Sequence, residues 1–153
     1  MKVLLLGIDG ADPFLIRKFW QNSKLKNFAR LKSIGSFRLL KTANPAQSPV
    51  VWSSIAYGTN PGQHGIFDFI SRDPHTYLPH LSIYQTNKKN ILGLRSKMFN
   101  PVVSGIPFWQ KTSQKGIPTT VLKWPLTFPP KKINGKILSG LGVPDLRNTQ
   151  GQY

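Results

Sequence analysis

The run Val3-Leu4-Leu5-Leu6-Gly7-Ile8, closed by Asp9-Gly10, constrains the fold more than any other stretch. Apolar residues on consecutive positions leave no wet face, so the run predicts a strand buried on both sides, as in parallel sheets covered by helices. Asp12-Pro13 then predicts a helix with Asp12 at its N-cap and Phe14, Leu15, Lys18 and Phe19 along it. A strand feeding directly into a helix opens an α/β fold, in which ligands gather at the carboxyl ends of the strands. Asp9 stands at such an end, although the commoner use of an Asp-Gly pair is a plain turn.

The chain continues in the same manner. Leu25, Phe28, Leu31 and Ile34 recur at helical spacing before Gly35, with Lys24, Lys26, Arg30 and Lys32 on the wet side. Ser36 to Thr42 alternates weakly and reads as a strand leading into the next loop. Ser48-Pro49 then predicts a helix running to Gly58, with Ser48 as N-cap and Pro49 as first helical residue. A hydroxyl is thereby presented at the positive end of a helix. The N–H groups of Val50 and Val51 are expected to be free there to hold a phosphate or another anion. Taken alone, an N-cap serine usually does no more than cap.

From residue 59 to residue 105 periodicity fades, with Pro61, Pro74, Pro79 and Pro101 interrupting, and the stretch reads as a loop-rich insertion over the site. His64, His75 and His80 lie there among Asp68 and Asp73, but their spacing fits no metal-ligand pattern, and Pro79 disfavours one helix carrying both His75 and His80. Pro107, Phe108, Trp109 and Thr112 predict a helix stopped by Gly116. Ile117 to Lys123 is β-branched enough for a strand, Trp124 to Pro130 is loop, and Lys136 to Ser139 is a further short strand.

Composition narrows the possible functions. The chain has 153 residues, 39% apolar with four Trp and nine Phe, which suits one globular domain with a sizeable core. It carries 21 Lys and Arg against five acidic residues, all Asp, for a net charge of +16. That balance calls for an anionic partner or for an acidic remainder. The cations are dispersed, which makes nucleic acid an unlikely partner. Without Cys, disulfides, thiolate nucleophiles and Cys-ligated zinc are excluded. The N-terminal apolar run is too short for a signal peptide and no run approaches a membrane span, so a cytoplasmic location is expected.

In combination, Gly7-Ile8-Asp9-Gly10, Ser48-Pro49 and Tyr57-Gly58-Thr59-Asn60-Pro61-Gly62-Gln63-His64-Gly65-Ile66 resemble the N-terminal part of the type I phosphodiesterase/nucleotide pyrophosphatase family, in the alkaline phosphatase superfamily. Trp124-Pro125-Leu126-Thr127-Phe128-Pro129-Pro130 and Ser139-Gly140-Leu141-Gly142-Val143-Pro144-Asp145 resemble its bacterial and archaeal members. The resemblance covers nearly the whole chain, and it is the order of the motifs that makes it specific.

It implies an alkaline-phosphatase-like, doubly wound α/β sandwich, with residues 1–153 forming the N-terminal part of one catalytic domain truncated at its C-terminus. It further implies a metal-dependent phosphoester hydrolase of the phosphodiesterase/pyrophosphatase type acting on a small-molecule substrate through a phosphoseryl intermediate. Two divalent cations are implied, zinc foremost, with Mn, Mg or Ca as alternatives. Asp9 matches the first metal ligand. Ser48 matches the nucleophile, which is itself a metal ligand.

Two departures matter. An Asn that steadies the phosphoryl oxygens in nucleotide pyrophosphatases is replaced here by Val51, leaving only a backbone N–H. The family's remaining Asp and His ligands find no counterpart, so residues 1–153 by themselves are expected to be inactive, their missing partner being the C-terminal part of the same domain. The sulfatase pattern of the same superfamily is not met by Ser48-Pro49-Val50-Val51-Trp52. The alternatives are a phosphotransferase or mutase of the superfamily, and a basic polyanion- or nucleic-acid-binding module without catalysis.

Overall fold

A computed structural model describes residues 2–82, 85–91, 94–100 and 102–143, with the two seven-residue strands among them described by their backbone. The chain divides into two compact units, Met1–Lys41 and Thr42–Tyr153.

The first unit is built on two helices, α1 (Pro13–Gln21) and α2 (Lys26–Ile34). Asp12 caps α1 as its sequence predicts, its Oδ1 accepting the N–H groups of Phe14 and Leu15, both at 2.8 Å. The turn between the helices closes when Lys24 N–H donates to the Phe19 carbonyl at 2.9 Å. Trp20 and Phe37 meet edge to face at 4.7 Å, with the Arg17 guanidinium 5.9 Å above Phe37 and Lys32 Nζ 5.8 Å above Trp20. None of the described residues of this unit is buried.

Residues 3–8 depart from expectation. They form no ladder, and Val3, Leu4, Leu6 and Ile8 are exposed, Leu4 to 89%. A strand is a pairing, and the described part of this unit offers helices but no second strand to pair with. Asp9 accordingly sits in an exposed turn with Gly10 at φ +65°. Residues 36–42 also lack a strand partner.

The second unit begins with α3 (Ser48–Tyr57), which ends at Gly58 in the left-handed conformation (φ +66°), and α4 (Pro61–His64), which Asn60 caps by accepting the Gln63 N–H at 3.1 Å. Two antiparallel hairpins follow, β1 (Ile70–Arg72) with β2 (Pro79–Leu81) and β3 (Gln85–Ile91) with β4 (Leu94–Asn100). Then come α5 (Phe108–Gln114), β5 (Thr119–Trp124) and β6 (Gly135–Ser139). The last two strands pair in parallel from Thr119↔Gly135 to Trp124↔Ser139, with an irregularity between Leu122 and Trp124. Helices and a parallel strand pair together make the content mixed α/β.

Two apolar clusters hold this unit. Val50, Ile66, Val103 and Leu126 form one; Ala56, Trp109, Val121 and Trp124 form the other. Trp124 is the hub of the second, edge-on to Trp52 at 5.0 Å and to Phe108 and Trp109 at 5.5 Å each.

Candidate active site

Ser48 is the first residue of α3, half-buried, with Pro49 behind it and fully covered. The N-cap is Gln47, one residue earlier than the sequence predicts, with extended φ −105° and ψ 143°. The cause is the hydrogen bonding of the first turn. Val50 and Val51 N–H groups both close onto the Gln47 carbonyl at 3.0 Å. These were the two donors expected to be free for an anion, and that expectation is corrected: they are engaged within the helix. Pro49 fits the second helical position as well as the first, because neither N–H has a partner inside the helix. The helix dipole still points its positive end toward Ser48.

The rest of α3 is anchored deeply. Val50, Ser53 and Ala56 are buried, Val50 in the first cluster and Ala56 in the second. Ser54 Oγ donates to the Val50 carbonyl at 2.8 Å and lies 3.0 Å from His64 Nε2. His64 Nδ1 accepts the Ile66 N–H at 3.2 Å, and the His64 carbonyl accepts the Ser104 N–H at 3.0 Å. His64 is completely buried, and that burial pushes its pKa below the ordinary value of 6.5, so the ring is neutral at physiological pH. Sequence reasoning set this histidine aside. The local signals were legible: Asn60-Pro61 starts a helix and Gly65 (φ +82°) ends it. What they cannot show is that the short helix turns the ring toward Ser54.

Three of the aspartates are engaged locally. Asp73 Oδ1 accepts the N–H groups of His75 and Thr76 at 2.8 Å, and the Thr76 bond first, then that to His75, holds its carboxyl below the usual range. Asp68 accepts the Phe69 N–H at 2.6 Å, and Asp12 is the cap of α1. Among the described residues, no three His or Asp come together as a metal-binding group. Asp9 belongs to the first unit and Ser48 to the second. Asp145 lies outside the described residues.

At the carboxyl ends of β5 and β6 a compact knot forms. Thr127 Oγ1 donates to the Trp124 carbonyl at 2.7 Å and accepts the Gly140 N–H at 3.2 Å, while Ser139 Oγ donates to the Thr127 carbonyl at 2.9 Å. The two C-terminal motifs singled out in the sequence thus meet here, one on each strand end.

Comparison with curated proteins and with solved structures returned no match. A family model does match, and it spans residues 3–150 of the 153. The chain belongs to the type I phosphodiesterase / nucleotide pyrophosphatase family.

Proposed function

We propose that the chain serves hydrolysis of small-molecule phosphoesters of the diester or pyrophosphate type, with Ser48 as nucleophile. The observation that carries this is the mount of Ser48. It opens a ten-residue helix held by both apolar clusters, in a chain whose family membership covers nearly its whole length.

Ser48 Oγ gives up its proton to solvent, attacks phosphorus and forms a new O–P bond as the bond to the leaving alkoxide or phosphate oxygen breaks, giving a phosphoseryl ester. Water then attacks that phosphorus, returning the Ser48 hydroxyl and releasing the phosphate group. The dipole of α3 favours the oxyanionic form of both Ser48 and the phosphoryl group. Members of the family are typically metal-dependent, and bound divalent cations, zinc foremost, lower the pKa of a coordinated hydroxyl. Asp9 and Ser48 are the residues of this chain we assign to them. The fit is partial, since His64, Asp12 and Asp73 are engaged in hydrogen bonds of their own.

We also propose that the β5–β6 pair belongs to a larger, doubly wound sheet. Leu122 and Leu138 are register partners and both are exposed, 69% and 55%, on the side away from Val121. Parallel sheets are covered on both faces, which supports further layers against this one. No helix among the described residues is long and apolar enough to cross a membrane.

With two residues matching metal-ligand positions, residues 1–153 alone are expected to show no turnover of an activated phosphodiester with added Zn²⁺, Mn²⁺, Mg²⁺ or Ca²⁺. The deciding experiment grafts residues 3–150 in place of the corresponding segment of an active family member. Turnover by the graft that Ser48→Ala abolishes supports the assignment, and turnover that survives Ser48→Ala refutes it. The net charge of +16 favours, as a second possibility, a polyanion-binding module; that predicts binding that weakens steeply with salt, and salt-insensitive binding removes it.

A further inference from the structure

The motif from Tyr57 to Ile66 follows the proposed nucleophile's helix and supplies no atom to the chemistry above. Its histidine is nonetheless fully enclosed, at 0% exposure. A buried imidazole needs both ring nitrogens satisfied, and only one protonation state does so here. The Ile66 N–H is directed at Nδ1, so Nδ1 is an acceptor; Nε2, 3.0 Å from Ser54 Oγ, therefore carries the proton and donates it. Ser54 Oγ in turn donates a hydrogen bond to the Val50 carbonyl. A one-way relay thus runs from Ile66 N–H through His64 and Ser54 to Val50.

We propose that His64, fixed as the Nε2–H tautomer, is a positioning residue that clamps the first turns of α3 and thereby holds Ser48 in register. The functional meaning rests on Ser48 being the nucleophile; the geometry of the clamp does not. Val50, where the relay ends, is two residues from Ser48, and its side chain lies in the same apolar cluster as Ile66, where the relay begins. The two ends are therefore joined by packing as well as by hydrogen bonds. The Ser104 N–H on the His64 carbonyl ties in a third segment. Histidine suits the place chemically. An asparagine can offer an acceptor at the position of Nδ1 without reaching Ser54, and a glutamine can place a donor near Ser54 without offering Ile66 an acceptor.

The test is the ¹⁵N spectrum of the His64 ring at neutral pH, together with amide exchange along α3. The expected result is a protonated Nε2 and a bare Nδ1, unchanged in Ser48→Ala, which separates the clamp from the nucleophile assignment. His64→Asn and His64→Gln should each raise exchange at Val51 to Ser54 by about tenfold, the order expected when one buried hydrogen-bonding partner is lost. Ser54→Ala should raise it similarly and add little in combination with His64→Asn, because both cut the same link. A ring protonated at Nδ1, or α3 exchange unchanged within about twofold in both His64 variants, overturns the proposal. Should the variants not fold, the tautomer in the unaltered chain still decides.

Discussion

Gly140→Ala puts the geometry of the C-terminal motifs to a direct test. A Cβ built on Gly140 falls 2.2 Å from the Lys123 carbonyl oxygen, 2.5 Å from the Lys123 carbonyl carbon and 2.6 Å from the Trp124 carbonyl oxygen. All three are backbone atoms, so no side chain can swing aside. Reaching even 3.0 Å requires the ends of β5 and β6 to part by about 0.8 Å. The Gly140 N–H is bonded to the Trp124 carbonyl at 3.1 Å and to Thr127 Oγ1 at 3.2 Å, and the same displacement carries both beyond hydrogen-bonding range. Overpacking at about 2 kcal/mol and the loss of about 1 kcal/mol of hydrogen bonding sum to about 3 kcal/mol. For a unit of this size that lowers the melting temperature by roughly 10–20 °C. Tryptophan fluorescence during thermal unfolding is the assay, because Trp124 is a direct partner of Gly140. Gly58→Ala is the comparison: its Cβ meets nothing within 4 Å, so only the left-handed backbone (φ +66°) costs, about 1 kcal/mol. A Gly140→Ala melting temperature within about 3 °C of the unaltered chain, or one above that of Gly58→Ala, refutes the steric argument.

Other outcomes follow from the same contacts. Thr127→Val keeps the shape but removes the hydroxyl shared by Trp124 and Gly140, and chemical denaturation should show a loss of about 1–2 kcal/mol. His64 is held below its ordinary pKa of 6.5 by burial, so the unfolded chain binds the extra proton more readily than the folded one. Its contribution to stability is therefore complete above about pH 6.5 and is lost as the pH falls below it; a melting curve series from pH 7.5 to pH 5 should show that decline, and His64→Gln should flatten it. Asp73, whose carboxyl is held below its ordinary 3.8, adds a separate decline beginning below that pH, which Asp73→Asn should remove. Val50→Ala, which opens a space in the cluster around Ile66, should cost about 1–3 kcal/mol by the same denaturation assay.

What was legible in the sequence is what local chemistry decides. Asp12-Pro13 starts α1, Gly58 ends α3, and Pro107 and Gly116 bracket α5, because capping and positive φ involve only a few adjacent residues. β5 and β6 were placed to within two residues for the same reason, their β-branched and apolar runs being bounded by prolines and glycines. The start of α3 was displaced by one residue because proline is tolerated at either of the first two helical positions, and only the Gln47 carbonyl bonds distinguish them. The run from Val3 to Ile8 states a need for cover but not the partner that supplies it. The hairpins β1–β4 went unseen because strands such as Gln85–Ile91, QTNKKNI, show no alternation to detect.

The clusters and the His64 relay bear jointly on what α3 can do. A surface helix has one buried stripe, but α3 buries residues toward two separate clusters, with Val50 in the one and Ala56 in the other, while Trp52 packs on the second. Apolar packing of this kind resists translation of a helix but is non-directional and tolerates some rotation about its axis. Hydrogen bonds are directional, and the Ser54–His64 contact supplies the missing constraint on rotation. On the proposal that Ser48 is the nucleophile, its Oγ must be held within about 0.5 Å of the productive position. Ser48 lies six residues upstream of Ser54 on the same helix, so a rotation permitted at Ser54 would be carried to Ser48 undiminished. The division of labour that results is specific: the clusters set where α3 lies, and the buried histidine sets which way Ser48 faces.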